Sequence, residues 1–340
     1  NYFVANNEVK QNVFNPNAVA LKNLNLKAND IFLKDKKAGL QVDALTFEEA
    51  SGLNLKELSL QLNATDNFLE LNDLNLALND NKLNGKLRLD YPSLAALIEK
   101  PDQSKIAVDV PSFQLDLKEV FKFQPELKKN EYLRTLSKKY VTGNVDAEGY
   151  LSAIEISQML VNWGNTTRIY ANGFIKNATK PDELQFDIPR FSAQSKRGDI
   201  IQFINEKELG VSLPQNVSLK GSAEGNLEDI YAKAQLTTSQ GIAIIDGHFK
   251  NDSQIAFDAN IEIKEYQLNE LLQNEQLGAI SLNLKTEGSG STINTLDATL
   301  DATISSFKFN NYAITDLEIN GKIKNGEGEI VSDYKDENIN

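Results

Sequence analysis

Gly52-Leu53-Asn54-Leu55-Lys56-Glu57-Leu58-Ser59-Leu60-Gln61-Leu62 decides the fold. Its leucines alternate with polar residues, which is the mark of a strand with one wet face. The alternation slips once: Leu53 and Leu55 are followed, after the two residues Lys56 and Glu57, by Leu58, Leu60 and Leu62. The same apolar-x-apolar-x-x-apolar-x-apolar pattern recurs. Val19 and Leu21 precede Leu24 and Leu26, Leu40 and Val42 precede Leu45 and Phe47, and Leu69 and Leu71 precede Leu74, Leu76 and Leu78. Tyr312 and Ile314 precede Leu317 and Ile319, while Leu87 and Leu89 alternate without a slip.

A slip of one residue throws half a strand onto the wrong face. A β-bulge absorbs it, keeps the apolar residues together and bends the strand. The inserted pairs Lys22-Asn23, Lys56-Glu57, Asn72-Asp73 and Thr315-Asp316 lack the Asn-Gly or Asp-Gly signature of a two-residue turn. Bulges are therefore expected there, in preference to two short strands joined by a tight turn. Bulges repeated at one level would crease a sheet.

A longer repeat lies over this one. Asn172-Gly173-Phe174-Ile175-Lys176-Asn177 is echoed at Asp246-Gly247-His248-Phe249-Lys250-Asn251 and at Asn320-Gly321-Lys322-Ile323-Lys324-Asn325, the glycines stepping by 74 residues each time. A weaker copy, Asn84-Gly85-Lys86-Leu87, stands 88 residues before Gly173. Each Asn/Asp-Gly is expected to be a hairpin turn leading into a strand. Asp109, Asp187 and Asp258 form a second landmark, stepping by 78 and 71, each followed by a helical stretch, from Asp116, from Asp199 and near Leu268. Helix is also expected over 93–98 and 127–139. Repeats of about 75 residues stack on their neighbours and grow in one dimension.

The expected fold is mainly β: an elongated, curved antiparallel sheet built from stacked repeats with a few short helices. Along the chain this reads as a β-groove segment at 1–92, a strand plus helical insert at 93–140, two to three repeat units at 141–326 and a polar tail at 327–340, all within one continuous repeat domain. With about 14 residues per strand and turn and strands ~4.8 Å apart, one sheet would extend roughly 110 Å.

Composition narrows the function classes. The 340 residues carry a formal charge of -13 with scattered Lys and Arg, which disfavours nucleic acid as a partner. The absence of cysteine removes disulfides, thiolate metal sites and cysteine nucleophiles, and suits the periplasm. No apolar run approaches the ~18 residues of a membrane span. The ends, at Asn1-Tyr2-Phe3 and Asp336-Glu337-Asn338, read as those of a piece of a longer protein.

Catalytic chemistry finds little footing. The single histidine, His248, is expected in a turn, with no second histidine for a metal pair. Gly288-Ser289-Gly290-Ser291 is expected in a loop and matches neither a P-loop nor a nucleophile elbow. No Asp-rich calcium loop occurs. The sole tryptophan, Trp163, fits a core position better than a lipid-facing one. No catalytic residue, metal or cofactor is assigned, and the chain is read as a non-enzyme.

The apolar face of every strand must be buried, and the helices are too few to cover it. One outcome is a closed sandwich; the other is an open apolar groove with a flexible apolar guest. At ~0.8 kcal/mol per methylene, a sixteen-carbon acyl chain gains roughly 13 kcal/mol by leaving water. The expected lining is Leu24, Leu26, Leu53, Leu55, Leu58, Leu60, Leu62, Leu69, Leu71, Leu74, Leu76, Leu78, Leu87, Leu89, Leu317 and Ile319.

The runs Ala20-Leu21-Lys22-Asn23-Leu24-Asn25-Leu26, Gly52 to Leu58, Leu83-Asn84-Gly85-Lys86-Leu87 and Val217-Ser218-Leu219-Lys220-Gly221-Ser222-Ala223-Glu224-Gly225 carry a family likeness. The chain resembles, over nearly its whole length, the TamB/AsmA-like cell-envelope proteins, especially those of the Bacteroidetes. The resemblance implies a taco-shaped apolar groove in a long periplasmic protein anchored in the inner membrane. It also implies phospholipid transport between inner and outer membrane, a role in outer-membrane biogenesis and, for TamB, an outer-membrane barrel-assembly partner. The competing expectation is a chaperone-like or structural β-repeat protein that assists outer-membrane protein assembly or secretion.

Overall fold

The computed structural model describes residues 3–4, 13–252, 254–291, 295–310, 312–325 and 327–334. By internal contacts it divides into two units, Asn1–Asp182 and Glu183–Asn340. Both are antiparallel β, with a few short helices, as the alternation requires.

In the first unit, β1 (Phe3–Val4), β2 (Ala20–Lys34), β3 (Lys37–Glu49), β4 (Leu53–Thr65), β5 (Phe68–Leu78) and β6 (Asn81–Asp90) are followed by β7 (Lys105–Leu115), β8 (Val141–Tyr150), β9 (Ala153–Trp163) and β10 (Thr167–Lys176). Consecutive strands pair antiparallel from β2 and β3 through to β9 and β10. Such a meander follows from short connections between strands of ten or more residues.

The slips in the alternation become bulges. Asn23 and Leu24 together face one residue of β3, and Asn23 takes a left-handed φ of 51°. Asn72 and Asp73 face the single Lys86, with Asp73 at φ 50°. Lys56 is the extra residue of β4 against β5, and Asp43 that of β3 against β2. Asn and Asp tolerate the left-handed region better than other non-glycine residues, which explains why polar pairs mark these sites. A further bulge, Pro111-Ser112 in β7, falls between the same two apolar rows as Asn72-Asp73. Proline is at home there because the ladder needs no N–H from it.

Short helical pieces stand between β6 and β8. The first is α1 (Leu94–Glu99), whose Ser93 Oγ accepts from Ala96 N at 3.1 Å. The insert after β7 holds α2 (Leu117–Phe123), a 3-10 turn at Pro125–Lys129 and α3 (Glu131–Leu136). It is thus broken where continuous helix was expected over 127–139. Asp116 caps α2 as its sequence indicates, accepting from Lys118 N at 3.0 Å.

The second unit contains β11 (Gln185–Lys196), β12 (Asn216–Asn226), β13 (Asp229–Thr238), β14 (Ile242–Asn251), β15 (Ile255–Gln267), β16 (Leu277–Gly290), β17 (Asp297–Phe309), β18 (Tyr312–Ile314), β19 (Leu317–Lys324) and β20 (Glu327–Asp333). Neighbours pair in order, except that β17 pairs with both β18 and β19. Asp316, at φ 57°, separates those two strands without changing their register on β17, so Thr315-Asp316 is a strand break and not a bulge. Short helices α4 (Arg197–Ile200) and α5 (Glu206–Leu209) follow β11, and α6 (Leu268–Leu272) follows β15. Asp199 lies inside α4, buried, and does not cap it. In the stretch read as a polar tail, Glu327–Asp333 forms β20, exposed along its length, and 335–340 lie outside the described residues.

The repeated Asn/Asp-Gly pairs are not turns. Asn84-Gly85, Asn172-Gly173, Asp246-Gly247 and Asn320-Gly321 all sit within strands, in β6, β10, β14 and β19. At Gly85 the glycine serves close approach instead: a Cβ there would lie 2.6 Å from the Asp109 carbonyl oxygen. Gly288-Ser289-Gly290 likewise belongs to the end of β16 and not to a loop.

Candidate functional site

Residues directly opposite in an antiparallel pair share a face, so the register alone assembles the site. In the first unit Leu40, Leu62, Leu71, Leu87, Val108, Ala147 and Ile156 are successive opposite partners from β3 to β9. A second row runs Ala64, Leu69, Leu89, Ile106, Gly149, Ile154. A third runs Leu58, Leu76, Leu83, Phe113, Gly143, Val161. Six steps of ~4.8 Å make the first row roughly 29 Å long, perpendicular to the strands.

Fourteen of the expected lining residues lie in this unit and two, Leu317 and Ile319, in the other. Leu58, Leu60, Leu62, Leu69, Leu71, Leu74, Leu76, Leu78, Leu87 and Leu89 are half-buried. Side chains of this size in mid-sheet become fully buried when another layer packs on them, and these do not. Leu53 and Leu55 differ, each only 5% exposed, beneath the insert that carries the buried Phe121. They belong to a small closed core at one end of the strands. Leu24 and Leu26 differ the other way, at 49% and 60% exposed; among the described residues β2 has a partner on its outer side at Ala20 and Leu21 alone. Leu26 stands opposite Leu45, so the apolar face continues onto β2.

In the second unit, Ala193, Leu219, Leu236, Ala243, Ile263, Leu282, Ile304 and Leu317 form one row. Phe191, Gly221, Ala234, Ile245, Ile261, Leu284, Ala302 and Ile319 form the next. Sequence inspection reached only the last member of each row. The strands of this unit do carry alternation, but small residues such as Gly221 and Ala234 dilute its signal.

The opposite face is polar. His248 lies there in β14, not in a turn. Its Nε2 is 2.7 Å from Asp229 Oδ1, its Nδ1 3.2 Å from Asp258 Oδ2, and its ring stacks on Tyr231 at 3.9 Å. Lys233, beside it, is held above the usual lysine range by its hydrogen bond to Asp246. In the first unit Arg88 is driven upward by Asp90 and Glu70 and stacks over Phe68. A concavity of about 610 Å³ in the second unit is lined by Asp246, Glu262, Lys285, Asp301 and Glu318 together with the apolar Ile244, Ile261 and Leu284. Its excess of carboxylates disfavours an anionic ligand. Among the described residues no group of three or more His, Asp or Glu side chains is placed to hold a metal ion.

Trp163 is core, 5% exposed, donating from Nε1 to the Leu136 carbonyl at 2.7 Å, with Lys139 Nζ 4.4 Å over its ring. It ties the helical insert to β9. No helix among the described residues is long and apolar enough to cross a membrane. Comparison with protein-family models, curated proteins and solved structures finds no match.

Proposed function

We propose that the apolar face takes up the acyl chains of phospholipid and lets them pass along its rows, as part of a periplasmic bridge between inner and outer membrane. The observation that carries this reading is the register. It sets leucine opposite leucine across strand after strand, on a face that remains half-exposed. Each methylene moved from water onto such a face gains up to ~0.8 kcal/mol, and a neighbouring row offers an equivalent environment. A guest held this way has no deep minimum to leave, which suits passage better than storage. The resemblance to TamB/AsmA-like envelope proteins points the same way. It adds an inner-membrane-anchored whole, an outer-membrane barrel-assembly partner and a role in outer-membrane biogenesis to the proposal.

Photoreactive residues at Leu60, Leu76 and Leu89 test it. After irradiation in membranes, lipid adducts at all three are expected. Adducts to protein alone would instead favour a chaperone-like face that shelters outer-membrane strands. Full protection from solvent with no adducts of either kind would overturn both.

A further inference from the structure

The insert between β7 and β8 has a charge its surroundings do not share. Residues 116–140 hold seven Lys and Arg against four Asp and Glu, a net of +3, so the remainder of the chain carries -16 of the total -13. The corresponding connections after β11 and β15 are acidic: 197–215 has two basic and three acidic residues, and 268–276 has two glutamates and no basic residue. Bridging two strands therefore does not require the positive charge.

One side of the insert is anchored. Phe121 is buried, Lys122 Nζ donates to the Gly52 carbonyl at 2.9 Å, and Leu136 O accepts from Trp163. Val120, Phe123, Tyr132 and Tyr140 are nonetheless exposed, Tyr132 at 67%, and Phe123 packs on Phe14, ring centroids 5.3 Å apart. Interleaved with them, Lys118, Lys128 and Lys138 are exposed and form no ion pair among the described residues. Exposed aromatics among free lysines match a surface that is anionic at its phosphates and apolar just beneath.

We infer that the 116–140 insert docks on the surface of an anionic phospholipid bilayer. The lysines meet headgroup phosphates, and Phe123 and Tyr132 enter the interfacial layer. The contact is distinct from the passage of acyl chains along the apolar rows, and neither requires the other.

Co-sedimentation with vesicles tests it. Phosphatidylcholine vesicles containing about 30 mol% phosphatidylglycerol should bind the protein at least about tenfold better than pure phosphatidylcholine at low salt. The difference should collapse at about 1 M salt, where the screening length falls to ~3 Å. The variant K118Q/K128Q/K138Q should lose about tenfold or more of the anionic binding, with unchanged circular dichroism. Lys207→Gln, in the acidic insert, should lose none. Equal binding to both vesicle types, a triple variant that binds like the parent, or an equal loss in Lys207→Gln would each overturn the inference.

Discussion

Leu76→Asp separates an open apolar face from a closed one. Leu76 lies in β5 between Leu58 of β4 and Leu83 of β6, half-buried. Complete burial of a leucine is worth about 1.5–3 kcal/mol, so removing a partly exposed one costs roughly 1–2 kcal/mol. The carboxylate keeps water on its open side, which holds its added cost to about 1 kcal/mol. The expected loss is about 2–3 kcal/mol, within what a domain of 5–15 kcal/mol survives. In a closed sandwich the same charge would be dehydrated on all sides, and losses beyond about 5 kcal/mol would leave no folded protein. Urea denaturation followed by circular dichroism measures the difference, with Leu55→Asp as the closed-core reference that should not fold. The folded Leu76→Asp protein should also lose the lipid adduct at Leu60. If it unfolds as completely as Leu55→Asp, the open-face reasoning fails.

Other outcomes follow from local geometry. Asp73→Ala forces a Cβ-branched-free but still chiral residue to φ 50° without the polar side chain that tolerates it, and should cost about 1 kcal/mol in urea unfolding, whereas Asp73→Gly should be neutral or stabilising. Gly143→Ala drives a Cβ into the Leu160 carbonyl oxygen, so β8 and β9 must separate, and a loss of about 3 kcal/mol is expected. Glu206 accepts from Arg197 at 2.8 and 2.6 Å and from Leu213 N at 2.6 Å, and these bonds hold its carboxyl below the usual range. A depressed folded value contributes stability above the unfolded one, near 4.3, and loses it as pH falls through the folded value. Protection of the 197–215 amides, relative to their intrinsic exchange at each pH, should therefore be high at neutral pH and fall as pH drops below the ordinary glutamate range. Glu206→Gln should lower that protection already at neutral pH.

The first strands were legible because leucine and polar residues alternate with nothing to dilute them, and because Asn and Asp occupy the left-handed positions their side chains tolerate. The Asn-Gly pairs misled for a physical reason. The same dipeptide satisfies a turn, which needs positive φ, and a crowded strand, which needs no Cβ; only the neighbouring strand distinguishes them. At Gly85 that neighbour is Asp109 O, a carbonyl 24 residues away. His248 inherited the error, and its two aspartates come from flanking strands that no local pattern reveals. The different exposures of Leu26 and Leu55 were equally invisible, since both stand in identical patterns and differ in what lies beyond them.

The mid-strand glycines recur at β6, β10, β14 and at β19, which runs collinear with β18. The interval is four strand positions each time, although the first copy is spaced by 88 residues and the others by 74. Four is even, so within each unit the two copies begin with the chain heading the same way and showing the same side. The longer spacing is accommodated by the insert of 116–140, outside the ladder. Evolution can therefore lengthen or recharge a connection freely, and add or delete whole blocks, without inverting what lies downstream. An odd number of strands per block would have turned each successive copy back to front.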